Sequence, residues 1–204
     1  MSATDSTALD SAAAETLAWV DKAVIGLNLC PFARAVRMKG QIRCVVSDAT
    51  DAEALLSALC SEAQLLRDAD PVLCETTLLV HPQVLGDFAD YNDFLGLAEE
   101  ALFQMGCDGE LQLASFHPRY QFAGTEVDDV TNATNRSPYP TLHLLREASI
   151  DRAVQAFPAA EAIYEVNMRT MELLGQASWQ ALQAQCRRDT SEAAAPVATP
   201  PAST

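Results

Sequence analysis

Residues 72–82 read Val-Leu-Cys-Glu-Thr-Thr-Leu-Leu-Val-His-Pro, a stretch of almost continuously β-prone residues that ends in His-Pro. A run of this kind is typical of a central strand that is covered on both faces of its sheet. The same ending recurs at 116–118, after a second extended pattern at 110–116. We therefore predict two buried strands whose ends carry His81 and His117.

Outward from these strands, helical and extended patterns alternate along the chain. Two consecutive β-α-β units predict three parallel strands with right-handed crossovers, whose carboxyl ends share one edge of the sheet. A ferredoxin-like arrangement is the alternative, and it would keep only one of the parallel pairs. The predicted order is helix 12–28, strand 42–46, helix 50–66, strand 72–80, helix 88–102, strand 110–116, loop 117–140, strand 141–146, and helices 149–157, 159–174 and 177–187.

These patterns predict an α/β protein with a mixed sheet of about four strands, helices packed on the sheet and a C-terminal helical segment. Thr50 and Glu53 form a predicted capping box at the start of one helix. Pro158 fits the first turn of a C-terminal helix and Gly175 fits its end. We expect one domain over 11–188, with disorder at 1–10 and at 189–204, where large apolar residues are scarce.

The 204-residue chain has a formal net charge of −15 and only 13 basic residues. This charge argues against nucleic acid or an anionic membrane surface as the main partner, because phosphate binding needs a basic face. No apolar run approaches the roughly 20 residues that span a bilayer, and the N-terminus lacks the pattern of a signal peptide. We therefore expect a cytoplasmic protein with neither nucleic acid nor membrane as partner.

Cys30 stands apart from the other five cysteines, four of which fall inside predicted strands or helices. The chain has no CxxC pair, so we expect free thiols in a reducing compartment. Cys30 precedes Pro31 and is followed by Arg34 and Arg37, and guanidinium groups near a thiol lower its pKa and raise the thiolate fraction. The alternative is a small buried residue in a turn that the proline shapes.

Residues 117–140 have neither helical nor strand periodicity, and a segment of this length without regular structure is usually functional or disordered. Its aromatic residues favour packing over disorder. Arg119 and Arg136 carry a fork of donors that suits carboxylate or phosphate, although Asp128 and Asp129 are alternative, internal partners. We expect an ordered loop that covers a site and is packed through Tyr120, Phe122 and Tyr139.

Three segments carry a resemblance to a known family: Gly26-Leu-Asn-Leu-Cys-Pro-Phe-Ala33, Ser115-Phe-His-Pro-Arg-Tyr-Gln-Phe122 and Thr134-Asn-Arg-Ser-Pro-Tyr-Pro-Thr-Leu-His-Leu-Leu-Arg-Glu147. They resemble the signatures of the DUF1415 family, and the resemblance covers roughly residues 12–175. That family is bacterial and its function is uncharacterised. The resemblance therefore implies a set of motif positions and no reaction.

The candidate site combines a thiol and two imidazoles with polar residues of these segments. An imidazole at a strand end acts as a general base, a metal ligand or a loop anchor, and a histidine between leucines is often a core residue. We predict catalytic roles for Cys30, His117 and His143. Substrate-binding roles are predicted for seven further residues: Arg34, Arg119, Tyr120, Asn135, Arg136, Tyr139 and Arg146.

Three functions are compatible with these residues. The favoured one is an enzyme that acts on a small anionic metabolite, a carboxylate or a phosphate, by Cys/His chemistry in an arginine-lined pocket. The alternatives are a metal site made by Cys30, His117 and His143, and a binding module without chemistry. No motif identifies a cofactor, and the oligomeric state stays open. Glu75 is expected to pair with a loop arginine, because an unpaired buried carboxylate is costly.

Overall fold

The computed structural model of the chain describes residues 3–156 and 162–193. A π-helical segment, Val20–Ile25, extends the first helix, and a 3-10 helix, Val130–Asn135, lies in the long loop. The helices are α1 (Ala3–Trp19), α2 (Ala33–Met38), α3 (Ala52–Asp68), α4 (Phe88–Gln104), α5 (Glu147–Ala156) and α6 (Ile163–Ala193), and the strands are β1 (Ile42–Val46), β2 (Thr76–Val80), β3 (Leu111–Phe116) and β4 (Thr141–Arg146).

The four strands form one mixed sheet in the order β1-β2-β4-β3, which confirms the predicted fold class. β1 and β2 are parallel, and β4 lies antiparallel between β2 and β3. The prediction that three strands run parallel is confirmed, but only β1 and β2 are neighbours, because β4 lies between β2 and β3. The physical reason is burial: β4 is nearly as apolar and covered as β2, so it occupies the second central position and leaves β3 at the edge.

β1, β2 and β3 nevertheless run in the same direction, so their carboxyl ends share one edge with the start of β4. Val80 and Phe116, the last residues of β2 and β3, both pair with Thr141. His81 and His117 follow these two residues directly. The prediction that both histidines stand at one edge is therefore confirmed. We call this edge the histidine edge.

Two apolar cores cover the two faces of the sheet. On one face, α3 and α4 pack against alternate strand residues that include Leu79, Leu142 and Leu144. On the other face, α1, the π-helical segment and α6 pack against the intervening residues, among them Leu78 and Phe116. The period of two along each strand separates the side chains of one face from those of the other.

Aspartates begin the two helices of the first face. Asp51 accepts a hydrogen bond from the backbone N–H of Ala54 at 2.8 Å, and Asp87 accepts one from Ala89 at 2.9 Å. The predicted capping box with Thr50 as the first residue was therefore wrong by one position. A carboxylate at this place satisfies an N–H that the helix leaves without an acceptor and also faces the positive helix end.

Both ends of the described chain are helical. α1 begins at Ala3 and α6 ends at Ala193, while the single domain over 11–188 and the disordered termini stay predictions. The rest of the predicted tail, 194–204, and Pro158 lie outside the described residues. Gly175 interrupts α6 with a φ of 73°, as predicted from its position. No helix in the described ranges has both the length and the apolarity to cross a membrane.

Candidate functional site

A cavity of about 260 Å³ opens at the edge of the sheet opposite the histidine edge. Leu111 and Arg146, which pair across β3 and β4, mark its position at the start of one strand and the end of the other. Three of its lining residues are arginines, from α3, β4 and α5. Residues that line this cavity, which we call the arginine cavity, include Arg67, Pro71, Glu110, Arg146, Ser149 and Arg152.

Arg146 caps the C-terminal end of α3 from the cavity wall. Its Nη2 donates to the carbonyl oxygens of Leu66 and Ala69, and its Nε donates to that of Cys74. Across the described part of the chain, Arg146 has no carboxylate partner and its Nη1 has no acceptor. The carbonyls fix the guanidinium without neutralising its charge, so a full positive charge stays at the cavity.

The other two arginines of the cavity are paired with carboxylates. Arg67 Nε lies 2.7 Å from Glu110, and Arg152 Nη2 lies 3.2 Å from Glu75. Arg152 also donates to the hydroxyl of Ser149 at 2.8 Å. These three guanidinium groups and two carboxylates together carry one net positive charge, whereas the formal net charge of the whole chain is −15.

Glu75 was expected to pair with an arginine of the loop. It pairs instead with Arg152 of α5, because Glu75 precedes β2 at the edge where the arginine cavity opens. Glu75 has an arginine partner, as predicted, but the predicted partner, an arginine of the loop, was wrong.

His117 is fully buried at the histidine edge and binds through both ring nitrogens. Nδ1 accepts the backbone N–H of Arg119 at 3.0 Å, and Nε2 lies 3.2 Å from the carbonyl oxygen of Leu85. Since a carbonyl only accepts, Nε2 carries the hydrogen and the ring is neutral. Burial lowers the pKa of His117. The ring joins two loops, and it has no lone pair left for a substrate.

His81 lies beside it and is also fully buried. Its Nδ1 donates to the carbonyl oxygen of Val84 at 3.1 Å, and its ring stacks on Tyr91 with centroids 5.8 Å apart. Its Nε2 has no partner among the described residues. Burial lowers the pKa of His81 to about 4, so its ring is neutral in the folded protein at pH 7.

His143 lies in the middle of β4 and points to the other face of the sheet. It pairs with Leu78 and packs near Phe116, which belong to the α1 and α6 face. Its Nε2 is 2.6 Å from Thr76 Oγ1, and Thr76 donates its own proton to the carbonyl oxygen of Leu144. Nε2 is therefore the donor, and Nδ1 keeps its lone pair. Burial lowers the pKa of His143 to about 4.

Cys30 is partly exposed in the turn between the π-helical segment and α2. The guanidinium groups predicted beside it bind elsewhere: Arg34 donates to the carbonyl oxygen of Ile25 at 3.4 Å, and Arg37 forms a two-pronged pair with Asp21. No contact joins Cys30 to His117 or His143 in the residues that the structure describes. The three predicted catalytic residues therefore do not form one cluster.

The arginines of the loop hold the loop itself. Arg136 donates to the carbonyl oxygens of Tyr120 at 3.0 Å and Val127 at 2.6 Å, and burial lowers its pKa. Arg119 donates to the carbonyl oxygen of Gly86 and to Asp87. Among the described contacts, neither forms a hydrogen bond or ion pair with the predicted internal partners, Asp128 and Asp129, although the nearby charge of Asp129 raises the pKa of Arg136 against the effect of burial. Asp129 instead begins the 3-10 helix by accepting from Thr131.

Other predicted binding residues also have internal partners. Asn135 donates to the carbonyl oxygen of Ser115 at 3.2 Å, and Tyr139 donates to Glu15 of α1 at 3.1 Å. Burial and the nearby carboxylate raise the pKa of Tyr139 to about 12. The ring of Tyr120 packs between Phe88 and Phe122, with centroids about 5 Å apart. These side chains tie the loop to the fold.

Among the ten predicted site residues, Arg146 alone lines the arginine cavity. The prediction missed Arg67, Arg152 and Ser149, because each lies on a helix whose exposed face reads as ordinary solvent-facing surface. One signal was present: Arg146 closes the last strand only three residues before Ser149 and six before Arg152, so all three meet where a strand becomes a helix. In the described ranges no three His, Cys, Asp or Glu side chains converge as a metal site.

The comparisons with known proteins give one match. The model of a family described as "Protein of unknown function (DUF1415)" matches the chain over residues 11–181. No curated protein and no solved structure matches. The description of the family assigns no ligand, cofactor or activity.

Proposed function

The chain belongs to the DUF1415 family, and since its description assigns no activity, we propose from the geometry that the protein binds a small anionic metabolite in the arginine cavity. One observation carries the proposal: Arg146 is held at the cavity wall by backbone carbonyls, with no carboxylate to neutralise it in the described chain. A guanidinium group that is fixed and uncompensated attracts a carboxylate or phosphate.

The size and charge of the cavity support this proposal. A volume of about 260 Å³ corresponds to eight or nine water molecules at roughly 30 Å³ each, which suits a metabolite of about ten non-hydrogen atoms. The walls of a concave site exclude part of the solvent, so its charges act more strongly than charges on an open surface. A net acidic protein that keeps three arginines at one cavity has a local potential opposite to its overall charge.

A thermal-shift screen with small carboxylates and phosphate esters tests the proposal, because a ligand that binds only the folded state raises Tm. We expect at least one anion to raise Tm of the wild type and to lose most of this effect in Arg152→Gln. The matched control is Arg37→Gln, which also removes an exposed, ion-paired arginine but lies away from the cavity. An equal response of both variants, or no response to any anion, contradicts the proposal.

A second candidate function is acid–base catalysis at His143, with Cys30 as a thiol partner. The observation that favours it is the orientation of His143: Thr76 fixes Nε2 as the donor, which leaves Nδ1 as a base without an acceptor role in the described contacts. An oriented neutral imidazole of this kind is suited to accept a proton.

Alkylation kinetics test this second candidate without knowledge of a substrate. If His143 activates Cys30, iodoacetamide should modify Cys30 several-fold more slowly in His143→Gln than in the wild type at pH 7, since the thiolate is the reacting form. Peptide mapping distinguishes Cys30 from the buried Cys107, which serves as internal reference. Equal rates at Cys30 contradict a Cys30–His143 pair.

A further inference from the structure

We propose that the ligand of the arginine cavity carries a phosphoryl group and is a small phosphomonoester rather than a carboxylate. This inference rests on the proposed anion-binding function. It comes from the number and kind of hydrogen-bond donors that line the cavity and are still without an acceptor in the described chain. Arg146, Arg67 and the first turn of α5 surround the same cavity of about 260 Å³.

The guanidinium groups supply the first of these donors. Arg146 uses Nε and Nη2 for backbone carbonyls, and Arg67 uses Nε for Glu110 and Nη1 for the carbonyl oxygen of Met105. The remaining nitrogens, Nη1 of Arg146 and Nη2 of Arg67, have no oxygen acceptor in the residues described, although Arg67 also interacts with the thiol of Cys107, a weak acceptor. Both side chains are fixed at several points, so these donors have a defined position and lose little freedom when a ligand binds.

Ser149 supplies a hydroxyl proton. Its oxygen accepts a hydrogen bond from Arg152 at 2.8 Å, so its own hydrogen points away from that guanidinium. No described residue accepts this hydrogen. A hydroxyl that is oriented by an arginine and lines a cationic cavity is a donor to an anion.

The start of α5 supplies two backbone N–H groups. Arg146 ends β4 and Glu147 begins α5, with no residue between them. The N–H of Glu147 donates to the carbonyl oxygen of Glu110 at 3.0 Å. The next two N–H groups, of Ala148 and Ser149, lie too early in the helix for an intrahelical acceptor, and both residues line the cavity. The positive end of the helix dipole adds to the potential there.

The donor count favours a phosphoryl group. By the contacts of the described residues, seven groups remain available: four guanidinium nitrogens, of which two are Nε and Nη1 of Arg152, one hydroxyl and two backbone N–H groups. A carboxylate has two oxygens with about four acceptor positions, whereas a phosphoryl group has three strong acceptor oxygens and a charge near −2 at neutral pH. A phosphoryl group therefore accepts from more of these donors at once than a single carboxylate does, and its larger charge strengthens each of these hydrogen bonds.

The rest of the lining fits a short carbon chain beyond the phosphoryl group. Pro71 and Leu111 form an apolar part of the wall, and the volume limits the whole ligand to about ten non-hydrogen atoms at the density used above. Glu110 does not oppose an anion strongly, because its carboxylate is bound to Arg67 at 2.7 Å. A phosphorylated three- or four-carbon metabolite fits these conditions.

Titration calorimetry in phosphate-free buffer at constant ionic strength tests the inference, with inorganic phosphate, glycerol phosphate and succinate as probes. We expect glycerol phosphate to bind, inorganic phosphate to compete with it, and succinate to bind at least tenfold more weakly. Ser149→Ala should weaken glycerol phosphate about tenfold, the range for loss of one hydrogen bond to a charged group. Ser61→Ala is the matched control, since Ser61 is an exposed helical serine on α3.

The outcomes separate this inference from the function on which it rests. Succinate binding that Arg152→Gln abolishes, together with no binding of either phosphate probe, overturns the phosphoryl inference and keeps the anion site. Glycerol phosphate binding that Ser149→Ala leaves unchanged overturns the role of the first turn of α5. No binding of any of the three probes overturns both the inference and the proposed function.

Discussion

At the histidine edge of the sheet, polar side chains bind one another and the backbone, and at the opposite edge, guanidinium groups surround an open cavity. His117 uses both ring nitrogens for loop backbone, while Arg146 keeps a donor and an uncompensated charge at the cavity wall. The two edges contain similar residue types. His117 has both ring nitrogens bonded within the fold, which indicates a structural role, whereas Arg146 keeps an unpaired donor at an open cavity, which indicates a binding site.

If the buried histidines, at the histidine edge and in β4, have structural roles, acid should destabilise the protein well above the pH range in which carboxylates titrate. The pKa of His81 and that of His143 are lowered to about 4, so between pH 6.5 and 4 the unfolded chain binds more protons than the folded one. Stability therefore rises with pH in that window. From pH 7 to pH 5 we expect a loss of about 2 kcal/mol for each of these two histidines.

Urea unfolding at pH 7, 6 and 5 measures this effect. The carboxyl groups whose pKa is lowered, such as those of Asp87 and Asp129, stay ionised in this range and contribute to the loss only at lower pH. Unfolding free energies that agree within error from pH 7 to pH 5 would show that the histidines are not held neutral.

Removal of His117 tests the histidine edge directly. His117→Ala leaves the N–H of Arg119 and the carbonyl oxygen of Leu85 without a partner and opens a void beside Phe88 and Tyr91. We expect a loss of about 3 kcal/mol in the free energy of unfolding, measured by urea at pH 7. A loss below about 0.5 kcal/mol, the range of ordinary surface substitutions, would remove the distinction between the two edges.

The corresponding change at the arginine cavity should have the smallest effect on stability. Arg152 is largely exposed, with 65% of its side chain accessible, and its pair with Glu75 is 3.2 Å long. Arg152→Gln should lower the unfolding free energy by about 1 kcal/mol, because the amide of glutamine still offers a donor to the largely buried Glu75, while it removes anion binding. A large loss of stability in the absence of ligand would mean that Arg152 mainly stabilises the folded protein rather than binding an anion.

The sequence was sufficient to predict the histidine edge and insufficient to predict the arginine cavity. The strand-end pattern before His81 and His117 is local, and the direction of β-α-β connections places both ends together. The position of β4 is not local, because an apolar strand pairs equally well at several places in a sheet. The partners of Arg136, two backbone carbonyls of its own loop, depend on loop conformation that no residue pattern encodes.

The cavity residues illustrate the same limit. Arg67 and Arg152 are separated by more than eighty residues, and each follows the helical period of its own segment. Their encounter depends on where α3 ends and where α5 begins relative to β4. The family resemblance marked Arg146, which stands at that junction, and did not mark its two neighbours.

The direct passage from β4 into α5 has a structural consequence. The six residues of β4 begin at Thr141, beside His81 and His117, and end at Arg146 in the cavity wall, a span of about 20 Å at roughly 3.4 Å per residue. Hydrogen bonds to β2 on one side and to β3 on the other hold this strand along its whole length, from the histidine edge to the arginine cavity. The first turn of α5 and the histidine edge are therefore joined by one continuous, fully paired strand with no linker between β4 and α5.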